Sequence, residues 1–152
     1  MHKSEELIVD AAFAPLEFFG GLGDDVRALE LFSDEGEKKC SLKSMLVKKL
    51  IKAHFDMFSD KYKLEIRYSL SVVISQNKIE ILNAIDSYLL PFFVPMDKKM
   101  FVKDLWSIIF GDYDYNDHIE ILNLSARTQT YKFKDMEEHG RFYDNLTWLI
   151  EM

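Results

Sequence analysis

The sequence predicts a mainly α-helical, compact single domain, and three observations carry that expectation. Apolar residues recur at helical spacing in residues 41–58, 78–90 and 98–110. Asp97 and Gly111 bracket the last of these stretches as a cap and a stop. The chain has 152 residues, is 48% hydrophobic and holds twelve Phe, enough length and apolar surface to bury one core without staples.

The elements follow in order. Residues 5–13 read as a short helix with Ser4 as its N-cap, and Pro15 bends or restarts it. Gly20-Gly21-Leu22-Gly23-Asp24-Asp25 is a flexible turn. Residues 26–32 fit either a short helix or a short strand, and 33–39 form a polar connector. Residues 41–58 give the clearest pattern. With Ser41 as N-cap, Leu42, Met45, Leu46, Leu50 and Ile51 face inward, while Lys43, Lys48, Lys49 and Lys52 form a basic outer face.

Residues 62–75 pull two ways. Tyr62, Leu64, Ile66, Tyr68, Leu70 and Val72 alternate with polar residues, which argues for a strand. The run is long for a strand, and a helix buried on several sides also shows apolar residues around its circumference. A helix is the reading adopted. The alternative is an α+β fold with a small antiparallel sheet built from residues 62–75 and 118–134.

Residues 78–90 read as one helix carrying Ile79, Leu82, Ile85 and Leu89, followed by an apolar turn between Pro91 and Pro95. Asp97 then caps a helix that carries Phe101, Leu105, Trp106, Ile108 and Ile109. Residues 118–124 and 129–133 alternate as a hairpin would, and 135–150 read as a closing helix interrupted by Gly140. No repeat, low-complexity tract or linker divides the chain, so residues 1–152 are expected to form one domain.

The net charge is −7, from 26 acidic and 19 basic residues. That balance argues against nucleic acid as a partner, because phosphate backbones require cationic surface. The charge is uneven. Residues 38–67 hold nine basic and three acidic residues, whereas residues 1–37 hold ten acids against two bases and residues 112–152 nine acids against four bases. Two acidic ends around a basic centre suit a basic protein partner.

Glu5, Glu6 and Asp10 interrupt any apolar leader, and the longest uncharged runs fall short of the ~20 apolar residues that span a bilayer. The single Cys40 excludes an internal disulfide and a cysteine-spaced zinc site. A cytoplasmic protein without membrane contact is the expectation.

No catalytic or cofactor signature stands out. Gly20–Gly23 lacks the Lys-Ser/Thr of a phosphate loop. His2, His54, His118 and His139 form no HExxH pair, and no Gly-x-Ser-x-Gly elbow is present. No enzyme activity, cofactor or metal is therefore expected. Asp112, Asp114 and Asn116 match the start of a calcium loop. The glycine required at its sixth position is Asp117, and the glutamate required at its twelfth is Asn123. The segment also reads as a contact surface, in which Asp112, Asp114, Asp117 and Glu120 steer a basic partner and Tyr113 and Tyr115 anchor it. A solvated loop with its tyrosines packed on the preceding helix is the bland alternative.

In its size, acidity, lack of catalytic motifs and the segment Gly111-Asp112-Tyr113-Asp114-Tyr115-Asn116-Asp117, the chain resembles the bacterial toxin-immunity proteins of contact-dependent growth inhibition. That resemblance implies a protein that binds a cognate toxin, a nuclease with a basic cleft for instance, and occludes its active site without turnover. Two other readings stay open. One is a helical regulatory or adaptor protein. The other is an enzyme whose site assembles from distant residues, which would show as a cleft lined by histidine and carboxylates.

Overall fold

The computed structural model describes residues 3–19, 42, 44–76, 78–88, 90, 94–112, 114–115 and 132–142. Those residues form a mainly α fold with no named strand among them. Helix α1 spans Lys3–Ala12, so Ser4 lies inside the helix and does not cap it. Pro15 lacks the N–H that an α-helix would donate back to Ala11. The chain instead tightens into a 3-10 turn, Ala14–Phe19, with the Leu16 N–H donating to Phe13 O at 2.9 Å. This turn drives Ala14, Leu16, Phe18 and Phe19 into the core.

Helix α2 spans Met45–Asp56. It starts later than its apolar pattern, because Ser44 takes the N-cap position, without a side-chain cap bond. Leu42 is buried ahead of the helix. Val47, Ile51, His54 and Phe55 form its inner face, while Lys48, Lys49 and Lys52 are exposed as the pattern predicts.

Helix α3 spans Asp60–Gln76, which decides the ambiguous stretch 62–75 in favour of helix. Ser59 caps it, its Oγ accepting from Tyr62 N at 3.2 Å. Seven of the eight buried positions, Tyr62, Glu65, Ile66, Ser69, Leu70, Val73 and Ile74, recur three or four residues apart, and Ser71 is the eighth. Two of the seven, Glu65 and Ser69, are polar, which hid the helical period among the apolar residues. The most extensive helix–helix packing joins α3 to α1, whose Val9, Ala11 and Ala12 are buried.

The expected helix over residues 78–90 is split. Helix α4 is the short Ile79–Asn83, and Ala84–Tyr88 continue as a 3-10 turn. Ser87 Oγ donates to Ala84 O at 2.7 Å, a local bond that competes with α-helical pairing. Helix α5 spans Lys98–Phe110 with both predicted ends intact. Asp97 accepts from Met100 N at 3.1 Å, and Gly111 terminates the helix at φ 72°. Its buried face is Phe101, Val102, Leu105, Trp106 and Ile109.

Residues 57–59 meet residues 132–134 in a single antiparallel bridge, Phe58 with Phe133. Ser59 N donates to Lys132 O at 2.8 Å and Lys134 N to Met57 O at 2.9 Å. The Phe58 and Phe133 rings stack at 4.9 Å. Residues 136–142 are helical, as the closing helix requires over that part. The glycine turn at 20–25, the stretch 26–32, Ser41, residues 118–124 and residues 143–150 lie outside the described residues, as does most of the proposed hairpin.

Gly111 offers a direct check of the α5 stop. Nothing lies within 4 Å of a Cβ added there, so the cost of Gly111→Ala is the left-handed backbone alone. We expect a loss of about 1 kcal/mol in urea unfolding.

Candidate functional site

The C-terminal end of α5 carries the acidic–aromatic segment. Trp106 is fully buried, and its indole Nε1 donates to Asp112 Oδ1 at 2.8 Å. The Asp114 N–H donates to the same oxygen at 3.0 Å. Arg67, reaching across from α3, donates from Nη2 to Asp112 Oδ2 at 3.3 Å. Both carboxylate oxygens are thus engaged.

The Arg67 guanidinium carbon lies 4.6 Å from the Trp106 ring centroid and 4.6 Å from that of Phe110, resting over both aromatic rings. Tyr115 meets Trp106 edge-on at 5.9 Å, and Lys103 Nζ lies 5.4 Å from the Tyr115 ring centroid. The Trp106 hydrogen bond, then the Asp114 amide and then Arg67 hold the Asp112 carboxyl below the usual carboxylate range.

Asp112 therefore acts first as a brace that fixes the chain beyond Gly111 to α3 and α5. The oxygens that a calcium ion would need at the first loop position are already accepting hydrogen bonds. Asp114 is exposed and Tyr115 is half-buried on Trp106. The bland packing role thus holds for Tyr115 in part, while Asp114 faces solvent. Tyr113, Asp117 and Glu120 lie outside the described residues.

A second feature lies between α2 and α5. A concave groove of about 500 Å³ is lined by Lys48, Lys49, Lys52, Ser107 and Ile108. Lys52 Nζ donates to Ile109 O at 2.7 Å, neutralising the carbonyl end of α5. The lining contains neither histidine nor carboxylate, so it lacks the chemistry expected of a non-sequential acid–base site.

Of the two histidines that the structure describes, one is buried in the core and the other, His139, is half-buried against it. His54 is fully buried, its Nδ1 3.2 Å from Pro15 O. A carbonyl only accepts, so Nδ1 carries the proton. The imidazole lies among Phe18, Phe58 and Phe142, with His139 at 5.6 Å. Burial first, outweighing the bond to Pro15, and then His139 lower its pKa to about 4. His139 stacks on Phe133 at 3.7 Å, and burial lowers its pKa as well. Near Asp10, burial raises the Glu17 carboxyl against the attraction of Lys132. Among the described residues, no group of three or more His, Cys, Asp or Glu side chains could hold a metal ion, and no helix is long and apolar enough to cross a membrane.

Sequence reasoning missed Arg67 and Lys103 as parts of the α5 end, and placed Trp106 only as a helical residue. Arg67 sits 45 positions before Asp112 and meets it only through the α3–α5 packing. A local signal did exist for Trp106, because a glycine stop folds the next residue back towards the last turn. The chain matches no family model, no curated protein and no solved structure.

Proposed function

We propose that this protein is an immunity protein, which binds a cognate bacterial toxin in the cytoplasm and neutralises it by covering its active site. The observation that carries the reading is the braced end of α5. Exposed Asp114 and half-buried Tyr115 stand on a rigid frame of Trp106, Arg67 and Asp112. Contact residues held by their own packing lose little freedom on binding, and carboxylates beside aromatic anchors suit a basic partner. The net charge of −7 adds a long-range attraction to such a partner. Inhibition then proceeds by steric and electrostatic occlusion, with no chemical step.

The test is co-expression with a candidate toxin domain, the first to try being any that is encoded immediately upstream of the gene. Cells arrested by the toxin are expected to resume growth when this chain is present. Asp114→Lys is expected to slow association about tenfold at low salt, and less as salt rises. An active toxin against which the chain gives no protection sinks the immunity reading. Full protection with an unchanged association rate in Asp114→Lys keeps the function and moves the contact surface elsewhere.

A further inference from the structure

The groove between α2 and α5 plays no part in that reading and has the opposite charge. Lys48, Lys49 and Lys52 line one wall, and half-buried Ser107 and Ile108 line the other. Lys48 and Lys52 stand one helical turn apart, a like-charge spacing that destabilises the helix. Three other described lysines are paired with carboxylates, Lys78 with Glu5 at 3.1 Å, Lys98 with Asp86 at 3.0 Å and Lys134 with Asp60 at 3.8 Å, and three more, Lys63, Lys103 and Lys132, lie over aromatic rings. Lys48 and Lys49 have no carboxylate partner among the described residues, in a chain with 26 acidic side chains.

We propose that this groove binds a compact oligophosphate free in solution, such as the diphosphate or triphosphate group of a small molecule, with Lys48, Lys49 and Lys52 supplying the positive charge.

Size, donor type and surrounding charge support that occupant. The volume of about 500 Å³ falls in the range of small-ligand sites, roughly 300–1,000 Å³. The donors are ammonium groups, which act as point charges. As in phosphate-binding loops, such point charges can gather around clustered phosphate oxygens without the bidentate geometry of an arginine fork. The bond from Lys52 to Ile109 O offsets the negative end of α5, which would otherwise repel an anion at that wall. A long polyanion fits less well. Running past the end of α5 it would meet Asp112 and exposed Asp114, on a chain of net charge −7.

Calorimetric titration of the full chain with pyrophosphate and with tripolyphosphate at low salt tests the proposal. One-to-one binding is expected, tighter for tripolyphosphate, and weakening as salt rises. The double variant K48A/K49A, with both sites exposed on α2, is expected to keep its circular dichroism and melting temperature and to bind about tenfold more weakly. K78A, which breaks a pair on another helix, is expected to bind as the parent does. The proposal is overturned by absence of binding, by equal affinity in K48A/K49A, or by an equal loss in K78A. It is also overturned if a single-stranded oligonucleotide binds the same lysines more tightly than tripolyphosphate, which would make the groove a nucleic-acid surface.

Discussion

Replacing Trp106 with alanine is expected to cost about 3–5 kcal/mol of stability, the range for deleting a fully buried indole. Trp106 has no exposed surface and contacts Phe110, Tyr115, Arg67 and Asp112 at once. The alanine variant opens a cavity between α3 and α5 and leaves Arg67 stacked on one ring instead of two. Trp106→Phe separates the packing from the hydrogen bond. The smaller ring keeps most of the apolar volume but removes the donor to Asp112 Oδ1. Asp112 is 43% exposed, so water replaces that bond and the loss is expected to be near 1 kcal/mol beyond the volume change.

The more telling readout in Trp106→Phe is the Asp112 carboxyl itself. Its largest stabilising partner is the indole, so its pKa is expected to rise towards the ordinary carboxylate value in an NMR titration. A carboxyl that titrates unchanged in Trp106→Phe would mean that Arg67 and the Asp114 amide form the brace without the indole. The distinction matters for function. A substitution at Asp112 loosens the platform, whereas Asp114 tests contact with a partner.

How much of this was legible in the sequence depends on how local each cause is. Both ends of α5 were legible, because Asp97 and Gly111 act on backbone groups within a few residues. The exposed lysine face of α2 was legible for the same reason. The start of that helix was not. Leu42 fits the apolar rhythm yet is buried outside the helix, so burial and helicity part company there. Residues 62–75 are helical, as the adopted reading has them, although their alternation pointed to a strand. Leu64 is exposed, while Glu65 and Ser69 are buried beside Tyr62, Ile66 and Leu70, so the apolar letters alone blur the helical period.

The candidate site divides along the same line. The acidic–aromatic letters of 112–117 were visible, but the bracing of Asp112 required Arg67 to arrive from another helix. The groove likewise needed Ser107 and Ile108 of α5 to face a lysine pattern already apparent on α2. Tertiary juxtaposition at such separations leaves no mark in a single sequence.

Acid is expected to destabilise the protein well before its ordinary carboxylates titrate, and His54 is the reason. In the unfolded chain this imidazole titrates near 6.5, and in the fold near 4. Between those values the unfolded state binds more protons, so stability rises with pH across that window and is lost as pH falls through it. Full titration corresponds to about 3 kcal/mol, since each pH unit of difference is worth about 1.4 kcal/mol.

The cause is geometric. Protonation would place a charge and a second N–H inside the nest of Phe18, Phe58 and Phe142. His139, lowered in the same direction, adds to the loss. Glu17 opposes it, because a raised carboxyl takes up its proton more readily in the fold and gains stability as pH falls. Asp112, held low, contributes only at more acidic pH, below the window of His54.

Urea unfolding across about pH 7 to 4 reads the net slope. In His54→Gln the baseline stability is expected to drop, because the amide fills the nest less well, but most of the slope in this window is expected to vanish. A slope that survives His54→Gln unchanged would assign the acid sensitivity to other groups, His139 first among them. The same nest joins the 3-10 turn at Pro15, the α2–α3 corner at Phe58 and the C-terminal residues Phe133, His139 and Phe142. Protonation of His54 is therefore expected to loosen the attachment of residues 132–142 first, visible as faster amide exchange at Lys134 than along α5.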